Sequence, residues 1–309
     1  MIKAYWFICL AVAGALQLAP TRAQDTPVPL PTDPSVLRPE GAAAKPTVMW
    51  YGGDYPPTFI ARGEMKGQGY GDRILDDIIR HTPAYRHVFV RSTFNRGLSA
   101  LKDRDNACIF GVLKTPEREA FIHYSEPLSS TLPNRVVVRR DRAAIMKPFL
   151  NEAGEVVLEK LLASPDLMVG LVTDRFYSPQ INARLKTHKS RLPHVEMPEP
   201  RYGRLLARGR IDYTFGFPYE AAFKFRELGD PNGFITFPLA GEVRLMDSHI
   251  GCADKPLGRQ IIADINRAAS EAGAPETFRR YFEQWLDVAA RADYRRALRE
   301  RDARPGDQN

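Results

Sequence analysis

The chain has 309 residues, of which 44% are hydrophobic and 26% are charged. This length suits one large or two medium domains with a substantial core, and the composition excludes global disorder. The formal net charge of +7 is spread along the chain and forms no single basic block. The charge therefore favours an anionic ligand or surface without establishing a nucleic-acid partner.

The N-terminus has the pattern of a secretory signal peptide. Lys3 precedes an uncharged apolar run at residues 4–16, and residues 21–23 (Thr-Arg-Ala) place small residues at the two positions that a signal peptidase reads. The alternative, a membrane anchor, is disfavoured because the run is shorter than the ~20 residues that span a bilayer. We expect residues 1–23 to be removed, so that the mature protein is exported and begins at Gln24.

A proline-rich segment at residues 24–46 follows this signal. It contains six prolines and few apolar residues. Such a composition cannot form a core face and predicts a semi-extended tether.

Beyond the tether, strand and helix patterns alternate along the chain. In the first block, strand patterns alternate with apolar residues at helical spacing. Its predicted elements are a strand at residues 48–51, a helix at 67–80, a strand at 87–91, a helix at 95–103 and strands at 108–112 and 134–140. This alternation predicts a parallel sheet with helices packed on it.

A second alternating block follows the first. Its predicted elements are helices at residues 152–162, 179–186 and 202–208 and strands at 167–172, 195–197, 211–215, 234–239 and 247–252, then helices at 257–272 and 275–285. The residues from 291 onward are rich in Arg, Asp and Glu. They predict a solvated helix end followed by disorder.

Two cysteines remain after the predicted cleavage, Cys108 and Cys252, and both lie in strand-like contexts. In an oxidising compartment they form either a disulfide or a pair of buried reduced thiols. The sequence does not decide between these states, because it does not place the two Cα atoms.

The sequence lacks the common motifs of cofactor, metal and catalytic chemistry. Residues 67–72 (Gly-Gln-Gly-Tyr-Gly-Asp) fail the dinucleotide pattern because Asp72 stands where the third glycine is required. The chain has no phosphate-binding loop and no nucleophile elbow, and its six histidines show no ligand spacing. We expect no cofactor, no metal and no nucleic-acid partner.

Residues 111–120 carry the one segment that suggests a binding site. Gly111 ends a strand, Thr115 can cap a helical turn, Pro116 suits the first helical position and Arg118 lies in the first turn. Free backbone N–H groups beside a guanidinium favour a carboxylate or phosphate. On these residues alone, a surface turn with a solvated arginine is the simpler interpretation.

This segment resembles the signature of the bacterial periplasmic solute-binding proteins of the polar amino-acid type (solute-binding protein family 3). The similarity extends along most of the chain beyond residue 23. Residues 54–57 match the family's first ligand loop, residues 67–72 its first helix start and residues 209–212 its second-lobe strand start. Residues 261–286 resemble the closing helices.

The resemblance implies an α/β, two-lobed periplasmic-binding-protein (type II) fold with two hinge strands and a ligand cleft that closes by hinge motion. The implied parts are lobe 1 at residues 47–135 and 245–290, lobe 2 at 136–244, a charged tail at 291–309, and crossings between the lobes at 136–138 and 244–250.

The resemblance also implies the roles of residues in lobe 1. By motif position, Arg118 grips the ligand's carboxylate with Thr115 beside it, Phe94 stacks on the ligand, and Tyr55 supplies the aromatic ring of the first loop. For Tyr55 and Phe94 the alternative is core packing. Leu113 departs from the family, which often has a small hydroxyl residue at that position.

In lobe 2 the residues match the family's ligand site less closely. Residues 173–178, with Arg175 and Ser178 as candidate contacts, lie where the family offers helix N-terminal amides to the carboxylate. Amino-acid binders place an Asp after the strand that follows residue 209, and here that position is Phe217. Glu220 is the candidate substitute. Because a buried ammonium without a counter-charge is costly, a carboxylate with an apolar or aromatic body fits better than an ordinary α-amino acid.

Two classes of function remain. In the first, the protein is a periplasmic monomer that binds a small carboxylate-bearing solute, amino-acid-like or an aromatic or apolar acid, for an ABC-type importer or sensor. In the second, the same scaffold is an enzyme, such as a dehydratase of cyclic aromatic precursors, with Glu220 as the candidate general acid and Glu242 second. We favour binding without catalysis because no acid–base pair stands out.

Overall fold

The structure, a computed structural model, describes residues 44–198 and 201–303. The predicted signal peptide and most of the predicted tether lie outside these residues. The strands are β1 (Thr47–Gly52), β2 (Arg86–Arg91), β3 (Ala107–Val112), β4 (Ile122–Tyr124), β5 (Ser129–Thr131), β6 (Arg135–Arg139), β7 (Val169–Val172), β8 (His194–Met197), β9 (Tyr213–Gly216), β10 (Phe234–Phe237) and β11 (Met246–Ala253).

Helices pack on both sheets that these strands form. They are α1 (Tyr70–Arg80), α2 (Phe94–Asp103), α3 (Pro116–Glu119), α4 (Leu158–Leu162), α5 (Pro179–His188), α6 (Tyr202–Ala207), α7 (Pro218–Glu227), α8 (Pro256–Glu271), α9 (Glu276–Glu283) and α10 (Val288–Asp302). Within the described ranges, none of the helices combines the length and the apolar composition that crossing a membrane requires.

Lobe 1 is built on a sheet with the order β2-β1-β3-β11-β4, and β5 also pairs with β11. β1 pairs in parallel with both β2 and β3, as the strand–helix alternation predicts. α1 packs on this sheet through Ile74, Leu75 and Ile78, which recur at helical spacing and are buried. Their burial places α1 against Val48 and Trp50 of β1.

Lobe 2 is built on a second sheet with the order β10-β6-β9-β7-β8. β7 is parallel to β8 and β9, whereas β6 is antiparallel to β9 and β10. The chain therefore contains two α/β layers that follow each other, with β11 returning to the first.

The two crossings between the sheets lie at residues 132–134 and 238–245, each a few residues from its expected position. Val136, Val137 and Val138 were expected at the first crossing, but they are fully buried in β6. Val136 and Val138 point into one core and Val137 into a second core on the opposite face, and burial of both faces explains why the apolar run of β6 is continuous.

The helix expected at residues 152–162 begins only at Leu158. Gly154 adopts a φ of +75°, and the Asn151 side chain accepts a hydrogen bond from the backbone N–H of Glu155. These residues form a turn, because a left-handed glycine and an Asn side chain that binds the backbone both interrupt a helix.

The C-terminal residues differ from the expected solvated tail. α10 continues to Asp302, and Ala290, Tyr294, Ala297 and Leu298 form a buried stripe at helical spacing. The stripe is not apparent in the sequence, because two of its residues are alanines and the helix is rich in arginine. Residues 304–309 lie outside the described part of the chain.

Ionic and polar contacts fasten α10 to the strands beside the first crossing. Arg135, at the start of β6, donates to Asp293 at 2.8 Å, and only 6% of the Arg135 side chain is exposed. Burial lowers the pKa of the Arg135 guanidinium from its usual value, although Asp293 opposes this effect. The Tyr294 hydroxyl donates to the Ser130 carbonyl at 2.9 Å. α10 therefore contacts both lobes.

A disulfide joins Cys108 in β3 to Cys252 in β11, which resolves the alternative that the sequence left open. The two residues face each other in the antiparallel register of these strands. The bond links positions 144 residues apart. In a chain-entropy model, closing a loop of this length stabilises the fold by about 5 kcal/mol.

The ion pair of α10 yields a stability test. Asp293→Asn should lower the free energy of unfolding by about 3 kcal/mol, because it leaves the Arg135 guanidinium buried without a counter-charge. The measurement is urea unfolding. Asp302→Asn is the matched control at the exposed end of the same helix and should change stability by less than about 0.5 kcal/mol. Equal losses in the two variants would show that the pair has no special role.

Candidate functional site

The first ligand loop, after β1, holds Tyr55 against the start of α2. The loop is folded by backbone hydrogen bonds in both directions between Tyr55 and Phe59. The Tyr55 hydroxyl accepts a hydrogen bond from the backbone N–H of Phe94 at 3.1 Å. Gly53 permits this approach, because a Cβ at that position would lie 2.9 Å from the Tyr55 ring and 3.0 Å from the Ser92 carbonyl oxygen.

Arg118 lies on the same side of lobe 1. Its guanidinium carbon is 5.4 Å from the centre of the Phe94 ring, and its Nη1 donates to the Leu113 carbonyl at 3.1 Å. Thr115 occupies the N-cap position of α3, although its side chain accepts no bond from the helix backbone. The fold therefore brings Tyr55, Phe94 and Arg118 together, as the resemblance implied.

Arg118 forms no close ion pair in this arrangement, although its charge acts on that of the neighbouring Glu117. Within the described ranges, no carboxylate oxygen lies within 4 Å of its guanidinium, which is partly exposed. A second cation, the ammonium of Lys114, lies 5.6 Å from the Tyr124 ring centre. A guanidinium held over an aromatic ring beside another cation is suited to an anion.

In lobe 2, by contrast, Arg175 is paired with a carboxylate of the protein. Its Nη2 donates to Glu220 at 2.7 Å and to Asn134 at 3.4 Å. The guanidinium carbon lies 5.5 Å from the Tyr177 ring centre and 5.4 Å from that of Phe217. Burial acts to lower the pKa of Arg175, but the charge of Glu220 outweighs it and the net shift is upward.

Ser178 is the N-cap of α5, and its hydroxyl already has two protein partners. It accepts a hydrogen bond from the Ile181 N–H at 3.2 Å and donates to Glu242 at 2.7 Å. The side-chain oxygen of Asn182 accepts from the backbone N–H of Tyr177 at 2.9 Å and of Ser178 at 3.3 Å. Four of the six amides at residues 173–178, those of Thr173, Arg175, Tyr177 and Ser178, are thus bonded within the protein, and a ligand contact at Ser178 stays a prediction.

α7, the helix of lobe 2 that contains Glu220, packs against lobe 1. Phe217 stacks on Tyr219 with ring centres 5.2 Å apart, and Tyr219 lies 5.8 Å from Tyr70 of α1. The Tyr70 hydroxyl accepts a hydrogen bond from Thr58 at 2.9 Å, and burial raises the pKa of Tyr70 to about 12. Phe223, one turn further, joins the same core. The aromatic residues after β9 therefore fill the region beside Arg175.

Sequence reasoning missed α7, although a signal for it exists. Pro218 stands at the first helical position, and Tyr219 and Phe223 are four residues apart on one face. The two predicted sets of ligand contacts remain separate: no hydrogen bond or ion pair within the described residues joins Arg118 to Arg175 or to Glu220.

The chain forms two α/β lobes that are joined by two crossings. Each lobe holds an arginine against aromatic rings, and this architecture is that of a two-lobed binding protein. The chain belongs to the bacterial extracellular solute-binding proteins, family 3, whose sequence pattern matches residues 48–288. No curated protein is similar enough in sequence to count as a relative.

Solved structures agree with this assignment. A probable amino-acid ABC transporter extracellular-binding protein from Bacillus subtilis has a TM-score of 0.59 at 15% identity, covering 79% of this chain and 98% of that one. A histidine kinase sensor domain similar to periplasmic binding proteins has a TM-score of 0.56 at 18% identity, covering 78% and 96%. An ancestral amino acid-binding protein, called a precursor of cyclohexadienyl dehydratase, has a TM-score of 0.56 at 14% identity, covering 78% and 95%. These identities establish the fold alone, and they confirm the predicted two-lobed type II architecture.

The Arg175–Glu220 pair can be tested by its effect on stability. Only 13% of the Arg175 side chain and 19% of the Glu220 side chain are exposed. Glu220→Gln should lower the free energy of unfolding by about 2 kcal/mol, less than for a fully buried pair because some solvent reaches it. Glu227→Gln, at the exposed end of α7, is the control for urea unfolding and should have little effect. If Glu220→Gln is equally neutral, the two side chains are not coupled.

Proposed function

We propose that the protein binds a small carboxylate-bearing solute between its lobes, with Arg118 as the first anchor. The observation that carries this proposal is the partly exposed Arg118 guanidinium, which lies over the Phe94 ring and beside the loop of Tyr55 without a carboxylate partner among the described residues. A ligand carboxylate gains a charge-assisted bond there without displacing an internal partner.

The chemical class of the solute is an aromatic or apolar acid rather than an ordinary α-amino acid. Phe217 and Tyr219 stack where amino-acid binders of the family have a carboxylate for the ligand's ammonium. Glu220 is the nearest substitute, but Arg175 at 2.7 Å already compensates its charge. An ammonium buried beside this neutralised pair would lack a counter-charge and would bind poorly.

The cellular setting follows from the family and the N-terminal sequence. We place the protein in the periplasm because residues 1–23 have the pattern of a signal peptide. Its partner would be an inner-membrane ABC permease or a sensor. The structural neighbours include both an ABC transporter binding protein and a histidine kinase sensor domain.

Binding without catalysis is also supported by the two candidate acids. A dehydratase would need one of them to donate a proton to its substrate. Glu220 accepts from Arg175, and Glu242 accepts from the Ser178 hydroxyl. Both carboxylates therefore act as acceptors for groups of the protein, and this favours binding over the dehydratase alternative.

The test begins with the ligand. Native mass spectrometry of protein from the periplasm should identify the bound solute, and calorimetry should then give its affinity. Arg118→Ala should weaken binding about tenfold to a hundredfold, the equivalent of one charge-assisted bond. Arg118→Lys should not restore it, because an ammonium lacks the planar fork.

The controls separate a binding role from a structural one. Arg96→Ala removes an exposed arginine of α2 and should leave the affinity unchanged. Phe94→Ala should weaken binding by loss of stacking. In a direct comparison, 3-phenylpropanoate should bind more tightly than phenylalanine, which adds only an ammonium. Parental affinity of Arg118→Ala would overturn the site, and tighter binding of phenylalanine would overturn the ligand class.

A further inference from the structure

A cavity of about 260 Å³ opens in lobe 1 and shares only Asp54 with the first ligand loop. None of the seven predicted ligand contacts lines it. It lies on the α1 side of the sheet, between the loop after β1 and the ends of β1 and β2. Its apolar walls are formed mainly by Trp50, Phe59, Ile60, Leu75, Phe89 and Phe110.

The aromatic walls are held in fixed positions. The parallel register places Trp50 directly opposite Phe89, so both side chains point to the same face of the sheet. The Trp50 indole N–H donates to His87 at 3.1 Å. On the opposite side, the edge of the Phe59 ring meets Phe110 with ring centres 5.4 Å apart.

The loop that closes the cavity is fastened at two points, which keeps the space open. Asp72, at the start of α1, accepts the backbone N–H of Ile60 at 3.0 Å. Asp54 accepts the N–H of Ala61 at 3.0 Å and pairs with Arg62 at 2.9 Å. Because these bonds hold the loop away from β2, the cavity is preformed.

The mouth of the cavity lies at the free edge of β2 and combines a ring with a cation. Phe89 is 61% exposed, although it is a large apolar side chain. Arg91, two residues further on the same face of β2, also lines the cavity and is exposed. In the part of the chain that the structure describes, the Arg91 side chain has no hydrogen bond and no ion pair within 4 Å, although its charge attracts that of Asp54 at longer range. The acids of the wall, Asp54 and Asp72, are already bonded to loop and helix N–H groups.

We propose that this cavity is a second binding site, for a small anionic amphiphile with one or two aromatic rings. The rings would lie among Trp50, Phe59 and Phe89, and the acid group would meet Arg91 at the mouth. Its volume is slightly below that of pockets that hold drug-sized ligands, about 300–1,000 Å³, and this fits a compact aromatic carboxylate or sulfonate. The inference does not depend on the function proposed for the cleft.

The experiment uses the full chain and the two-ring aromatic sulfonate 5-dimethylaminonaphthalene-1-sulfonate as the probe. Because Trp50 forms part of the wall, excitation of tryptophan should transfer energy to the bound probe and give a saturable signal with one site per chain. Ala61→Phe places a ring at the exposed edge of the mouth and should abolish the signal. Arg91→Gln should weaken binding about threefold to tenfold, since an exposed ion pair contributes only modestly.

Matched controls decide the outcome. Arg86→Gln, at the other end of β2 and outside the cavity, should leave the affinity unchanged. Phe89→Ser removes an exposed wall and should weaken binding even if Ala61→Phe fails to fold. Arg118→Ala should have no effect, whereas a loss of probe binding in that variant would place the probe in the cleft. Unchanged binding in both Phe89→Ser and Arg91→Gln, or equal losses in Arg91→Gln and Arg86→Gln, would overturn the proposal.

Discussion

Lobe 1 depends on a strand that the chain supplies only after lobe 2 has been built. β11 pairs with β3, β4 and β5 and is therefore an interior strand of the first sheet, although it begins only at Met246. The disulfide between Cys108 and Cys252 fixes this return strand to its neighbour. Lobe 2 is consequently an insertion between two strands that touch. Because the two crossings leave lobe 1 at adjacent strands, the lobes could rotate about the line that joins these crossings.

The two sides of the cleft have different electrostatics, and this difference suggests an order of events. Arg118 has no carboxylate partner among the described residues, so an anion gains its attraction outright. Arg175 is already satisfied by Glu220 at 2.7 Å, so the same anion would have to compete with a carboxylate of the protein. A ligand would therefore engage lobe 1 first. Phe217 of lobe 2 already packs against the core of lobe 1, so its apolar contact does not depend on closure of the hinge.

Much of the fold could be predicted from the sequence, because local patterns determine it. Ile74, Leu75 and Ile78 are spaced for one helix face, and α1 follows that spacing. α7 was not predicted, and only a solvated helix end was expected at α10, because their buried faces use tyrosine and alanine, as at Tyr219 and Ala297, instead of aliphatic runs. These residues become buried only because a distant part of the chain packs on them.

The same distinction separates the parts of the site that sequence reasoning found from those it missed. Tyr55, Phe94 and Arg118 follow three successive strands of one sheet, and motif order therefore brings them together. The pairing of Arg175 with Glu220 joins positions 45 residues apart, and no local pattern encodes it. The cavity beside Phe89 was equally hidden, since its walls come from segments that meet only in the folded lobe.

α10 adds a constraint on the hinge that the family's sequence pattern does not contain. That pattern ends at residue 288, where α10 begins. The helix packs into the core of lobe 1 through Tyr294 and Leu298, yet Asp293 binds Arg135 at the start of the first strand of lobe 2. Movement of β6 relative to lobe 1 would stretch this ion pair and expose a guanidinium that is now buried. If the lobes close on a ligand as proposed, closure has to overcome this contact, and α10 would then lower the ligand affinity by the cost of stretching it.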